Sequence, residues 1–274
     1  MDLCRVDLRS ARRVFSVDPP GCCDIDDAMS CEWLGPGQME VGVHIADVCA
    51  FLQQGSALDL EARARATSVY LPHERIDMLP SLISGEMASL LGCRDRLAVS
   101  VVWLVSVAHK HDGRPVNPQE DLLALYEAGE VSLTFPSEAS WAGRSLIRSA
   151  AAMTYQQAHN LIHDLPPGPV TPPRSPVEAG QVIQMSLWGS LEKDLKNLTV
   201  VSRVLLQLRQ QGKSLDLNQG GGSELKFKLD AEGLPVQATT KEDVEVHSTI
   251  AELMIAANRY TLGAFFRSRL LIQP

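Results

Sequence analysis

Residues 17–28 read VDPPGCCDIDDA, and they bring four aspartates, Asp18, Asp24, Asp26 and Asp27, within ten positions. Upstream, residues 14–18 (VFSVD) are rich in β-formers and predict a short strand. Pro19-Pro20-Gly21 then forces a turn, because proline fixes φ and glycine relieves the chain. That turn can fold Asp18 back against the other three. If 24–26 is extended, Asp24 and Asp26 share a face and Asp27 points away, so converging all four needs an irregular bend. Carboxylates held ~4–5 Å apart repel by a few kcal/mol per pair at an effective dielectric of about 20. They therefore need protons or a cation, and hard oxygen ligands suit Mg²⁺ or Mn²⁺. On spacing alone three readings stand: a metal-binding cluster, an Asp-rich turn in solvent, or Asp24 as a helix cap. A calcium EF-hand loop is excluded, since Ala28 and Met29 occupy its next ligand and its turn glycine.

Outward from the turn, residues 39–48 (MEVGVHIADV) alternate as a strand. Residues 56–67 predict a helix with Ser56 as N-cap, and 97–107 (LAVSVVWLVSV) a buried strand. Residues 145–163 predict a helix containing Tyr155. Six of the sixteen prolines fall between 166 and 176, which makes a stiff segment. A long amphipathic helix follows over 180–211, then the Gly220-Gly221-Gly222 turn, a strand at KFKLD and a helix over 247–268. Strands and helices mix irregularly, so the expected class is α+β, with a mainly antiparallel sheet packed with helices. The organisation reads as 1–163 with the acidic turn, a proline-rich linker over 164–180, and a continuation over 181–274.

Composition narrows the function. The 274 residues are 45% hydrophobic with a net charge of −8, enough for a core and too acidic for general phosphate affinity. No apolar run is long enough to span a membrane, and MDLCRVDLRSARR has no signal-like core. Cys4, Cys22, Cys23, Cys31, Cys49 and Cys93 form no C-x-x-C pair and read as buried or half-buried thiols. A cytoplasmic or nuclear, non-secreted protein is the expectation.

The acidic string resembles the signature of the ribonuclease II/ribonuclease R (RNB) exoribonuclease family. The likeness continues through VGVHIADV (41–48), GSALDLEARARATSVYLP (55–72), IDMLPSLIS (76–84), DRLAVSVVWLVS (95–106), SLIRSAAAMTYQQA (145–158) and IAELMIAAN (250–258). It implies Mg²⁺-dependent 3′-to-5′ hydrolysis of single-stranded RNA to nucleoside 5′-monophosphates. It further implies that Asp18, Asp24, Asp26 and Asp27 are catalytic and hold metal, Mg²⁺ or alternatively Mn²⁺. Tyr70 would stack on RNA, Tyr155 would contact the 3′-terminal nucleotide near the scissile bond, and Arg65 could reach a phosphate. Glu252 would also face the RNA. His44 and Asp47 read instead as structural. The basic residues of 192–213 make either a solvated face or an RNA-channel wall.

Three features depart from the family pattern. The family's adjacent glutamates read Ala251-Glu252, the glycine run 220–222 replaces a Pro-Glu pair, and the later arginine-bearing block is missing. The chain therefore reads as a fragment or short isoform of a larger parent, on one reading a helicase-containing one. A catalytically weak RNB module serving as a scaffold for RNA or protein is the alternative.

Overall fold

The structure is a computed structural model describing residues 5–71, 74–136, 140–166, 187–212, 225–229, 235–240 and 245–270. The proline-rich segment from 167, the glycine run 220–222, Cys4 and Lys213 lie outside them.

A seven-stranded sheet carries the fold. Its strands run β1 (Val6–Asp7), β9 (Ser140–Thr154), β2 (Val14–Asp18), β3 (Asp27–Gly35), β4 (Gln38–Ala46), β7 (Asp95–His109) and β8 (Val131–Thr134). β7 also pairs with β9, so β2, β3, β4, β7 and β9 close into a barrel. Most pairings are antiparallel; β9 runs parallel to β1 and β2. Two small ribbons stand apart: β5 (Val69–Tyr70) with β6 (Arg75–Ile76), and β10 (Leu225–Leu229) with β11 (Pro235–Thr240).

Alternation along the strands sorts the side chains between two cores. Val14, Ala28, Ala98 and Ile147 share the inner cluster with Ile25, Leu90 and Leu91. Phe15, Val17, Met29, Val41, Val43 and Met153 face outward and pack against helices. Those helices are α3 (Tyr155–Ile162), α4 (Trp188–Gln211) and α5 (Glu245–Leu270), following the shorter α1 (Ala57–Arg65) and α2 (Leu122–Glu127). Ser56 caps α1 as expected, accepting from the Asp59 N–H.

His44 lies fully buried among these strands, bonded to Ser30 Oγ at 3.0 Å and Ser100 Oγ at 2.7 Å. Burial, with Arg12 adding, lowers its pKa to about 3, so it is neutral and structural. Asp47 pairs with Arg5 at 2.6 Å, both buried, which is also structural.

Two sequence expectations change. Residues 145–154 are strand β9, and only from Tyr155 is the chain helical. Of the described cysteines, only Cys31 is buried and Cys22 is half-buried, while Cys23, Cys49 and Cys93 are exposed thiols. Among the described residues no helix is long and apolar enough to cross a membrane.

Candidate active site

Asp18 is the last residue of β2, on the same alternate set as Val14 and Ser16. It lies opposite Thr154 of β9. Thr154 caps α3 through a capping box with Gln157, so Tyr155 begins its helix beside Asp18. Pairing of β2 with β9 thus brings the first aspartate and the tyrosine to one end of the barrel.

The other three aspartates follow the turn. Gly21 takes φ +79°, and the Cys22 N–H closes back on the Pro19 carbonyl. Residues 21–26 form no regular element, which is the irregular bend the spacing demanded. Ile25 pins it. Its buried side chain enters the inner core, its N–H donates to Ser89 Oγ at 2.9 Å, and its carbonyl accepts from Leu90 N–H. With Ile25 held inward, Asp24 and Asp26 are left toward the surface. The Asp26 carbonyl accepts from Ala46 N–H, and Asp27 starts β3 opposite Ile45.

The electrostatics record the crowding. Burial, and then the fields of Asp27, Asp26 and Asp24, push Asp18 up to about 7, with the Ser16 hydroxyl alongside acting the other way. Neither Ser16 Oγ nor Asp18 Oδ2 has a hydrogen-bond partner at normal geometry, although both atoms are buried. Asp27 rises to about 6 through burial and Asp26, and Asp26 rises through burial and Asp24. Tyr155 is pushed up to about 12 by burial, Asp18 and Asp27, so its hydroxyl keeps its proton. Cys22 rises to about 12 through burial and the fields of Asp18 and Asp24, and stays a thiol.

A buried carboxylate oxygen without a partner, in an all-oxygen acidic cluster, fits a hard divalent cation. As the side chains stand, no three described His, Cys, Asp or Glu groups gather into one coordination sphere. Arg75 holds Asp24 instead, with Nη1 2.8 Å from Oδ1.

The remaining expected residues are more scattered. Tyr70 is 69% exposed on the β5–β6 ribbon. Arg65 ends α1, bonded to Glu61 and to the Asp77 carbonyl. Glu252 is buried in α5 and engaged bidentately by Arg209 of α4, at 2.6 and 3.0 Å. That helix-to-helix partner was not visible in sequence. The basic residues of α4 mostly join neighbours: Lys196 pairs with Asp164 and Glu192, and Arg203 with Glu245 and Glu127. Arg75 was missed altogether. It meets the turn only through space, across 51 residues of chain.

The fold is thus a closed barrel with a carboxylate-lined end, backed by helices. Comparison with known proteins gives the family: the RNB domain profile matches residues 5–269, and the chain belongs to the RNB family. It is 34% identical over 264 residues to the Arabidopsis thaliana protein named exosome complex exonuclease RRP44 homolog A, covering 96% of this chain and 23% of that protein. It is 35% identical over 273 residues to DIS3-like exonuclease 2 of Xenopus tropicalis, covering 96% and 28%. The chain thus spans about a quarter of the length of these relatives. Mycoplasma genitalium RNase R, solved with ribose-methylated single-stranded RNA, superposes with a TM-score of 0.69 at 20% identity, over 97% of this chain and 34% of the other. An active-site mutant of the Candida glabrata Dss1 exoribonuclease gives 0.72 at 17%, over 97% and 31%. Yeast Ssd1, described as a pseudonuclease, gives 0.51 at 18%, over 76% and 20%. These structures share the fold.

Proposed function

We propose that this chain is the catalytic module of a divalent-cation-dependent 3′-to-5′ exoribonuclease that shortens single-stranded RNA to nucleoside 5′-monophosphates. The observation that carries this reading is the buried, unpartnered Asp18 oxygen at the carboxylate-lined end of the barrel, beside Tyr155. Asp18, Asp24, Asp26 and Asp27 would hold Mg²⁺ or Mn²⁺. The ion, when bound, supplies positive charge to phosphate oxygens and an acidified water. Asp18, held at about 7, gives up its proton at neutral pH once positive charge enters the cluster. The Tyr155 hydroxyl, protonated at neutral pH, donates to the 3′-terminal nucleotide, and Tyr70 stacks on a base. Two features support the reading: the relatives are named exonucleases, and a structural neighbour was solved with single-stranded RNA. Exosome membership, named for some relatives, and a place inside a longer parent chain belong to the same proposal. So does a cytoplasmic or nuclear location.

A catalytically weak module is the second reading. It is favoured by Ala251 and by the engagement of Glu252 with Arg209. A 5′-labelled single strand incubated with Mg²⁺ separates the two: a shrinking ladder supports hydrolysis, and intact RNA supports the scaffold. Asp26→Asn should abolish the ladder while the melting temperature holds or rises slightly, because one charge leaves a repelling cluster. Parental cleavage by the Asn variant would remove Asp26 from the site.

A further inference from the structure

Arg75 is the cation that meets the acidic turn. Its Nη1 donates to Asp24 Oδ1 at 2.8 Å and its Nε bonds Asp77 Oδ1. Its guanidinium carbon lies 5.8 Å from the centroid of the Tyr70 ring, and Tyr70 faces it directly across the β5–β6 ribbon. One side chain therefore ties the exposed stacking ring to the candidate metal cluster. Its own exposure, 32%, leaves it open to an incoming strand. Arg65, the arginine expected on phosphate, is bonded to Glu61 and to the Asp77 carbonyl, and no bond joins it to the acidic turn among those described.

We propose that Arg75 has two stations. It neutralises Asp24 while no divalent cation is bound, and it passes to a phosphate of single-stranded RNA stacked on Tyr70 once a divalent cation takes Asp24. The proposal rests on the RNA reading above. A guanidinium and a divalent ion repel on a shared carboxylate, so entry of one displaces the other. A partly exposed ion pair is weak enough to exchange. The guanidinium fork matches phosphate oxygens two at a time, which a bare ammonium does not. Asp77 keeps the freed arginine on the ribbon, beside the backbone of any base stacked on Tyr70.

Two measurements on the whole chain test it. Calorimetric titration with Mn²⁺, without RNA, should give Arg75→Ala an affinity about two- to fivefold above the parent. Equal or weaker affinity overturns the first station. Arg75→Gln removes the charge while keeping a polar side chain and part of the aliphatic stem, and serves if the alanine chain fails to fold. The second measurement is fluorescence anisotropy of a labelled oligouridylate across a salt series, in EDTA and in Ca²⁺. One added phosphate contact steepens the slope of log affinity against log salt by about 0.7 on a single strand. The parent should gain that increment in Ca²⁺, Arg75→Lys should keep it, and Arg75→Ala should lose it. A parent that binds RNA with the same slope in both conditions, or an alanine variant that keeps the increment, overturns the second station. A parent that binds no RNA overturns the RNA reading and the second station with it, while the Mn²⁺ titration still decides the first.

Discussion

Tyr155 and His247 hold their rings 4.1 Å apart, centroid to centroid, tilted by 48°. Tyr155 begins α3 next to Asp18, and His247 lies in the first turn of α5. The far helix therefore braces the tyrosine that borders the acidic cluster. Farther along α5, Tyr260 meets Trp103 of β7 edge-on and donates to the Ser140 carbonyl of β9, which fixes the helix on the barrel.

Removal of that brace should be measurable. His247→Ala should lower unfolding free energy by about 1 kcal/mol, the scale of an aromatic pair, and His247→Phe should restore most of it. Urea melts of the three chains give the comparison. Parental stability in the alanine variant would show that the contact contributes nothing.

The acidic cluster should make stability depend on pH. Asp18 and Asp27 sit at about 7 and about 6, above the ordinary 3.8, so the folded chain binds protons that the unfolded chain releases. Their contribution is complete below about pH 4 and is lost as pH rises toward 7. In EDTA, the melting temperature of Asp18→Asn relative to the parent should climb steadily between pH 4 and 7. Mg²⁺ should raise the parental melting temperature more at pH 8 than at pH 5, since protons and metal compete for the same oxygens. An Asn advantage that stays flat with pH would show that Asp18 titrates normally.

Glu252 and Arg209 join α5 to α4 in a largely buried pair. Glu252→Ala leaves the guanidinium without its main counter-charge and should cost about 2–3 kcal/mol, somewhat less than a fully buried pair. Replacing both residues with leucine should recover much of the loss. If chemical denaturation finds the single variant as stable as the parent, the pair is ornamental and Glu252 is released for another role.

Substrate form should follow from Tyr70. Its exposed ring can stack only on unpaired bases, whose faces are covered inside a duplex. A single strand should be shortened while a blunt duplex of the same sequence resists. Tyr70→Ala should weaken single-strand binding by about 1–3 kcal/mol, and Tyr70→Phe should not. Equal degradation of strand and duplex would remove the stacking role.

Much of this was legible in the sequence, for physical reasons. β2, β4 and β7 announced themselves by β-branched alternation, and α1 by its Ser56 cap. The spacing of the four aspartates demanded the bend that residues 21–26 make. The segment 145–154 misled because Ala150, Ala151 and Ala152 favour helix locally. Tertiary pairing with β7 and β2 overrides that preference, and small side chains suit a closing strand that packs on both faces. β3 escaped notice because its serine, cysteine and glutamate mask the apolar set. Residues 89–90, which anchor Ile25, and Arg75, which holds Asp24, are joined to the turn only through space. No local pattern could announce them.

Closure of the barrel by β9 also sets a timetable. Asp18 ends the first strand of the barrel, and its neighbour Thr154 comes only after every other barrel strand has been laid down. Contacts between such distant segments form late, because their loop-closure entropy must be met first. During synthesis the acidic turn would therefore emerge from the ribosome without Tyr155 beside it. A nascent chain would carry the aspartates without the tyrosine beside them, and the two meet only when the last strand docks.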